Sequence, residues 1–273
     1  MNFFTYMIDG MVPVWVVLLI CVGVFFASFM DGIAGGGGII SVPTYLIGFT
    51  GLEESTRLGL GTNKLSAAIG TVFSLARFIK NKCVVWCLAL PGMVLAFLGS
   101  MGGTWLQDHT PEVVLKYLLL VVLPIVAFFT LKTKKWPDEP GEIAPGKQLL
   151  IVCLAALFIG AYDGYYGPGC GTFLMLVFIR LAKLDARNAA GTVKVINLAS
   201  NVGSLITACM LHNVLYGVGL ISAAASIAGH YLGSGLTIKN GSKIVKPCVI
   251  LVIILLTVKV ITELIWPEFW GIV

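Results

Sequence analysis

Charge is what this chain has least of. Asp, Glu, Lys and Arg make up only 11% of its 273 residues, against 58% hydrophobic, and the mean hydropathy is +0.96. A soluble domain carries about 25% charged residues, so this chain cannot cover a water-facing surface. Histidine is scarce as well, at positions 109, 212 and 230 only. The seven cysteines (21, 83, 87, 153, 170, 209 and 248) form no CxxC pair. Cys83 and Cys87 are spaced to share a helical face, but the scattered histidines complete no metal set with them. The cysteines therefore read as small buried hydrophobes.

Other absences narrow the function. No GxxxxGK[ST] loop occurs, and Lys64 and Lys194 follow their glycines in a different arrangement, so nucleotide-phosphate binding is not indicated. No serine-centred catalytic motif is present, and neither an enzyme nor a cofactor is expected. Asp9 is the only charged side chain before the first apolar stretch, which argues against a cleaved signal peptide. The apolar runs are continuous rather than alternating with period two, which disfavours a transmembrane barrel. The net charge of +5 sits in short loops between apolar runs, so it sets orientation rather than binding nucleic acid.

Long apolar runs are abundant. They cover roughly 12–30, 39–49, 62–79, 84–106 and 113–131, then 148–162, 171–182, 190–211, 214–236 and 243–265. Several approach the roughly 20 residues that span a bilayer. The expected fold is all-α and polytopic, in the cell (inner) membrane. The pattern long, short, long, long, long occurs twice, about a charged, proline-rich stretch. The division is a first repeat at 1–131, a cytoplasmic linker at 132–147 and a second repeat at 148–273.

Matched residues fix the duplication. Asp31-Gly32 corresponds to Asp163-Gly164 at an offset of 132. Gly61-Thr62 and Lys64 correspond to Gly191-Thr192 and Lys194 at 130, as do Gly99 and Gly103 to Gly229 and Gly233. Basic residues cluster at Arg77, Lys80 and Lys82, at 132–135, at Arg180, Lys183 and Arg187, and at Lys239, Lys243 and Lys246. Taking that side as cytoplasmic puts 50–61 outside and its counterpart 180–190 inside, the mark of two inverted-topology five-segment repeats. Both termini are then extracytoplasmic. The short runs span about 17–18 Å at about 1.5 Å per residue, so each glycine-rich hairpin is either re-entrant or completed by a tilted, loop-extended crossing.

The glycine signatures carry the chemistry. Residues 31–38 read Asp-Gly-Ile-Ala-Gly-Gly-Gly-Gly, and 163–171 read Asp-Gly-Tyr-Tyr-Gly-Pro-Gly-Cys-Gly. Gly35, Gly36, Gly37 and Gly38 precede a helix beginning near Ile39, and Gly167, Gly169 and Gly171 precede one beginning near Thr172. A helix start offers unpaired N–H donors and a partial positive charge, to which an oxyanion can come close when no side chain intervenes. The alternative is that these glycines serve tight helix crossings, the preferred reading for Gly99, Gly103, Gly229 and Gly233.

Thr62, Asn63 and Lys64, and their counterparts Thr192 and Lys194, are the next candidates. Each lysine heads an apolar helix, where it either belongs to a site or snorkels to the interface. Asn197, Asn201 and Ser204 form one stripe, matched in the first copy by Ala67, Thr71 and Ser74, that lines a pathway or bonds a neighbouring helix. Asp31 and Asp163 would repel an anion directly. They either hold the glycine turn, pair with Lys64 or Lys194, or carry a coupling proton.

These motifs, spread over nearly the whole chain, resemble the TauE/SafE sulfite exporter family of membrane permeases. The resemblance rests on the glycine run at 31–38, Gly-Thr-Asn-Lys at 61–64, the second run at 163–171, and Gly-Thr-x-Lys at 191–194 with the asparagines after it. It implies a permease for sulfite, sulfoacetate or a related organosulfonate. Cys170 stands where a small hydroxyl residue would be expected. The expected partners are a small anionic sulfur substrate and the lipid bilayer, with a homodimer open. A passive anion channel or a non-transporting membrane subunit on the same scaffold is the alternative.

Overall fold

The computed structural model describes residues 7–111 and 140–265. Within them lie a short hairpin, β1 (Met7–Ile8) with β2 (Val12–Pro13), and nine helices. The helices are α1 (Val14–Ala34), α2 (Gly38–Gly48), α3 (Ser55–Lys80), α4 (Trp86–Asp108), α5 (Pro145–Tyr165), α6 (Cys170–Arg180), α7 (Ala186–Met210), α8 (Tyr216–Asn240) and α9 (Ser242–Ile265). The 113–131 segment and most of the linker lie outside the described residues.

Four helices, α1, α4, α5 and α7, are both long and apolar enough to cross a membrane. Their outer faces carry large apolar side chains, such as Trp15, Leu18, Leu19, Val22 and Phe26 on α1, or Leu90, Val94 and Leu98 on α4. Buried positions include Ser28, Lys64, Asp163, Lys194, Asn197 and His230. Apolar outside and polar inside is the reverse of a water-soluble fold and fits a lipid surround, in which backbone groups are satisfied within helices.

The halves interlock rather than stand apart. α1 packs chiefly on α8, and α4 on α5; α3 packs on α8 and α7, and α4 on α7. Each of these pairings maps onto another, or onto itself, when α1, α2, α3 and α4 are exchanged for α5, α6, α7 and α8. Glycines permit the close crossings. A β-carbon on Gly99 or Gly103 would strike the carbonyl oxygens of Leu157 and Ala161; on Gly229 or Gly233 it would strike those of Phe25 and Phe29.

Helix boundaries differ from expectation in one consequential way. Residues 55–61 and 186–190 are not loops. α3 begins at Ser55, and α7 at Ala186, whose first turn is capped by Asp185 accepting from the N–H groups of Arg187 (3.0 Å) and Asn188 (3.1 Å). Gly61 and Gly191 therefore do not break helices. They let each helix lie against a carbonyl, that of Asn213 and that of Cys83 respectively. Lys64 and Lys194 consequently sit more than two turns inside their helices instead of at the heads. Asp31 and Asp163 likewise lie in the last turns of α1 and α5 rather than after them. Cys83 precedes α4 and Cys87 lies within it, so they share no helical face.

Candidate functional site

The two glycine turns meet. α1 ends at Gly35, whose left-handed φ of 73° a residue with a β-carbon rarely adopts, and whose N–H donates to the carbonyl of Asp31 at 3.0 Å. In the second half Gly167 (φ 100°) and Gly169 (φ 82°) make the reversal before α6. Gly35 and Gly171 lie backbone to backbone, so a β-carbon on Gly171 would strike the carbonyl of Gly35. Gly38 faces Pro168, whose Cα lies 3.2 Å from the position a β-carbon would take.

Beside this junction is a cavity of about 50 Å³. One water needs about 10–15 Å³ of such space, so the cavity has room for about three to five waters, or one small oxyanion. It is lined by Asp31, Gly35, Gly37, Gly38, Asn63, Lys64, Asp163, Gly167, Gly169, Asn197 and Asn201 among the expected residues. Ser28, Ser66, Cys170 and His230 line it as well.

Each lysine pairs with the aspartate of the other half. Lys64 Nζ lies 2.9 Å from Oδ1 of Asp163 and donates to the Asp163 carbonyl at 2.7 Å. Lys194 Nζ lies 2.5 Å from Oδ2 of Asp31 and donates to the Asp31 carbonyl at 2.5 Å. The lysines are only 5% and 2% exposed, which rules out snorkelling. Their charge is held inside because a carboxylate and a last-turn carbonyl both accept from it, and the Asp31 carbonyl accepts from Gly35 N–H as well. Asp31 Oδ1 also accepts from the N–H of Gly37 at 3.4 Å, so it holds the turn and pairs with a lysine at once.

Six expected residues do not line the cavity: Gly36, Thr62, Gly171, Thr172, Thr192 and Lys194. The threonines work as braces. Thr62 Oγ1 accepts from the N–H of Leu215 at 3.0 Å, and Thr192 Oγ1 accepts from that of Val85 at 3.1 Å, the same contact made once in each direction. Thr172 Oγ1 donates to the Ala34 carbonyl at 3.4 Å. Lys194 acts on the cavity through Asp31.

The residues that sequence reasoning missed make the two carboxylates unlike. Asp31 Oδ2 lies 2.9 Å from Nε2 of His230. Asp163 has no imidazole; Ser200 donates to its Oδ2, and Cys170 Sγ donates to its Oδ1 at 2.9 Å. The signal for His230 was available as a polar stripe at four-residue spacing, Ser222, Ser226, His230 and Ser234, all buried on α8. Among the described residues no group of three or more His, Cys, Asp or Glu side chains could hold a metal ion.

Comparison with known proteins identifies the family. The family model described as sulfite exporter TauE/SafE matches residues 19–260. A probable membrane transporter protein of Haemophilus influenzae is 32% identical over 256 residues, covering 92% of this chain and 96% of its own. The probable membrane transporter protein YfcA of Escherichia coli K12 is 28% identical, covering 87% and 86%. The probable membrane transporter protein ORF9 of a Sinorhizobium species is 32% identical, covering 89% and 91%. No solved structure matches the chain.

Proposed function

The chain belongs to the sulfite exporter TauE/SafE family of multi-pass membrane transporters, and we propose that it carries a small sulfur oxyanion or organosulfonate by alternating access. The observation that carries this reading is the cavity where the two glycine turns meet, lined by Lys64, Asp31 and Asp163, with Lys64 tethered to Asp163 and Lys194 behind the wall tethered to Asp31. The N–H groups of Gly35, Gly37 and Gly167 are taken by Asp31 and Tyr162, so the donors offered to a headgroup are the Lys64 ammonium and the side-chain amides of Asn63, Asn197 and Asn201. A sulfonate or sulfite presents the tetrahedral or pyramidal oxygens that such donors fit. The family is one of membrane transporters, so the reading is of a carrier.

Loop charge supports opposite orientations for the two halves, with the cavity near the middle of the bilayer. A route to each side follows from the stripes on α3 and α7. Asn63, Ala67 and Ser74 lead one way, and Asn197, Asn201 and Ser204 the other. The hydroxyls of Ser74 and Ser204, at matched positions, are buried without a hydrogen-bond partner and are available to a passing solute. Rocking one half against the other would open these routes in turn. A fixed pore along the same stripes would be the passive channel.

Purified protein in vesicles tests the reading. Concentrative uptake and counterflow of labelled sulfite or sulfoacetate, with no response to simple carboxylates, is expected; ohmic current without counterflow would make it a channel. Lys194→Met should weaken anion binding by more than Lys246→Met does, because Lys246 is exposed on α9. Equal effects on folded protein would remove the lysine from the site.

A further inference from the structure

The ion pairs around the cavity balance one another. With Lys64, Lys194, Asp31 and Asp163 ionised, the two positive and two negative groups cancel. An anion entering a neutral, buried site loses its hydration without gaining a net counter-charge. One further positive charge corrects this, and His230 is the group on the cavity wall able to supply it.

The geometry around His230 is that of a ring with two donors. Nδ1 lies 3.0 Å from the carbonyl oxygen of Ser226, and Nε2 lies 2.9 Å from Oδ2 of Asp31. Both of those oxygens only accept, whereas a neutral imidazole has one N–H and one bare lone pair. The imidazolium satisfies both sides at once; a neutral ring that donates from Nε2 to Asp31 instead accepts at Nδ1 from the Ser226 hydroxyl, so the site accommodates the ring before and after it takes a proton. Neighbouring hydroxyls complete the surround: Ser226 Oγ at 3.2 Å from Nδ1, bonded in turn to Ser28 Oγ at 2.9 Å, and Thr71 Oγ1 at 3.4 Å from Nε2. Room for the ring comes from Gly70, since a β-carbon there would lie 2.6 Å from Nδ1. At the matching positions of the other half, Ser100 replaces the histidine and Ser200 replaces the glycine.

We propose that His230 is the proton-binding residue of the transport cycle, taking up one proton as the anion binds so that anion and proton occupy the cavity together. This rests on the transporter reading above and assigns its coupling. The charged and titratable groups facing His230 are consistent with it. Asp31 comes from α1 and Lys194, through Asp31, from α7. Lys64 from α3, Asp163 from α5 and Cys170 from α6 lie around the same cavity. On α9, Lys243 and Lys246 point away and are exposed. Protonation moves the site from neutral to one net positive charge, and a bound monoanion restores neutrality. By linkage, whatever the proton does for anion affinity, the anion does equally for proton affinity.

The test uses the purified full chain with methanesulfonate and sulfoacetate, probes whose charge stays fixed between about pH 5 and pH 8, where an imidazole changes charge. Affinity is expected to rise as pH falls, approaching about tenfold per pH unit for one proton taken up, and to level once His230 is charged in the free protein. Adding probe to weakly buffered protein should remove about one proton from solution per anion bound. His230→Gln keeps amide donors and cannot take a proton; its affinity should be weak and flat with pH. Wild-type binding that is flat with pH and draws no proton overturns the proposal, without need of the variant. A pH slope that survives in His230→Gln overturns it too, moving the proton to an aspartate. If neither probe, nor sulfite, binds at any pH, the sulfur-anion reading fails and the coupling falls with it; binding with no proton uptake leaves that reading standing and removes only the coupling.

Discussion

The carboxylate pockets of Asp31 and Asp163 are built from one plan and finished differently. Both aspartates sit in the last turn of a helix that runs into a glycine reversal, and both hold a lysine of the opposite half through carboxylate and carbonyl together. Asp163 adds only neutral donors, Ser200 and Cys170. Asp31 adds His230, a group able to carry charge. The two ion pairs cancel, and at two matched positions His230 with Gly70 stands against Ser100 with Ser200, the difference on which the proposed proton uptake rests. The Asp163 pocket is structural ballast for the cavity; the Asp31 pocket is its adjustable side.

The largest test of that difference removes each lysine. Lys64→Met strands Asp163 among neutral donors, and breaking a buried pair from one side costs about 3–5 kcal/mol. Lys194→Met leaves Asp31 with His230, so the loss should be smaller and should grow as pH rises and the imidazolium partner is lost. Thermal unfolding of both variants in detergent, at about pH 6 and pH 8, reads this directly. Equal losses with no dependence on pH would erase the distinction between the pockets.

Much of this pairing was legible in the sequence, and the reason it was incomplete is physical. The glycine turns and the four charged residues stand out in the sequence by their matched spacing. Helix starts were misread at 55–61 and 186–190, since glycine signals a break in isolation while Gly61 and Gly191 serve a crossing that only the packed helices reveal. That error put the lysines near an interface and left snorkelling open. His230 escaped notice for the opposite reason: it has no counterpart in the first half, so a search for repeated features passes over it. The bracing by Thr62 and Thr192 was invisible because the N–H groups they accept from belong to loops more than 100 residues away.

A smaller effect is expected on the neutral side. Ser200→Ala removes one buried donor from Asp163, at a cost of about 1–3 kcal/mol. Neither the serine nor Cys170 contributes a titrating group in place of His230, so the loss should be the same at about pH 6 and pH 8, and the pH slope of anion binding should be unchanged. A slope that flattens in Ser200→Ala, measured with the same sulfonate probes, would mean that Asp163 holds the coupling proton, and the two pockets would have to exchange roles.

The smallest difference belongs where the halves are truly alike. Thr62→Val and Thr192→Val each keep side-chain shape and delete the hydroxyl that accepts a loop N–H, from Leu215 at 3.0 Å and from Val85 at 3.1 Å. Each should cost about 1 kcal/mol, the net worth of one such bond. Because the two contacts match in partner, direction and length, the costs should agree to within about 0.5 kcal/mol, and their combination should be additive within the same margin, as for separate sites. Chemical unfolding of the two single variants and the double variant measures both quantities. Unequal costs would show that asymmetry reaches beyond the carboxylates into the frame.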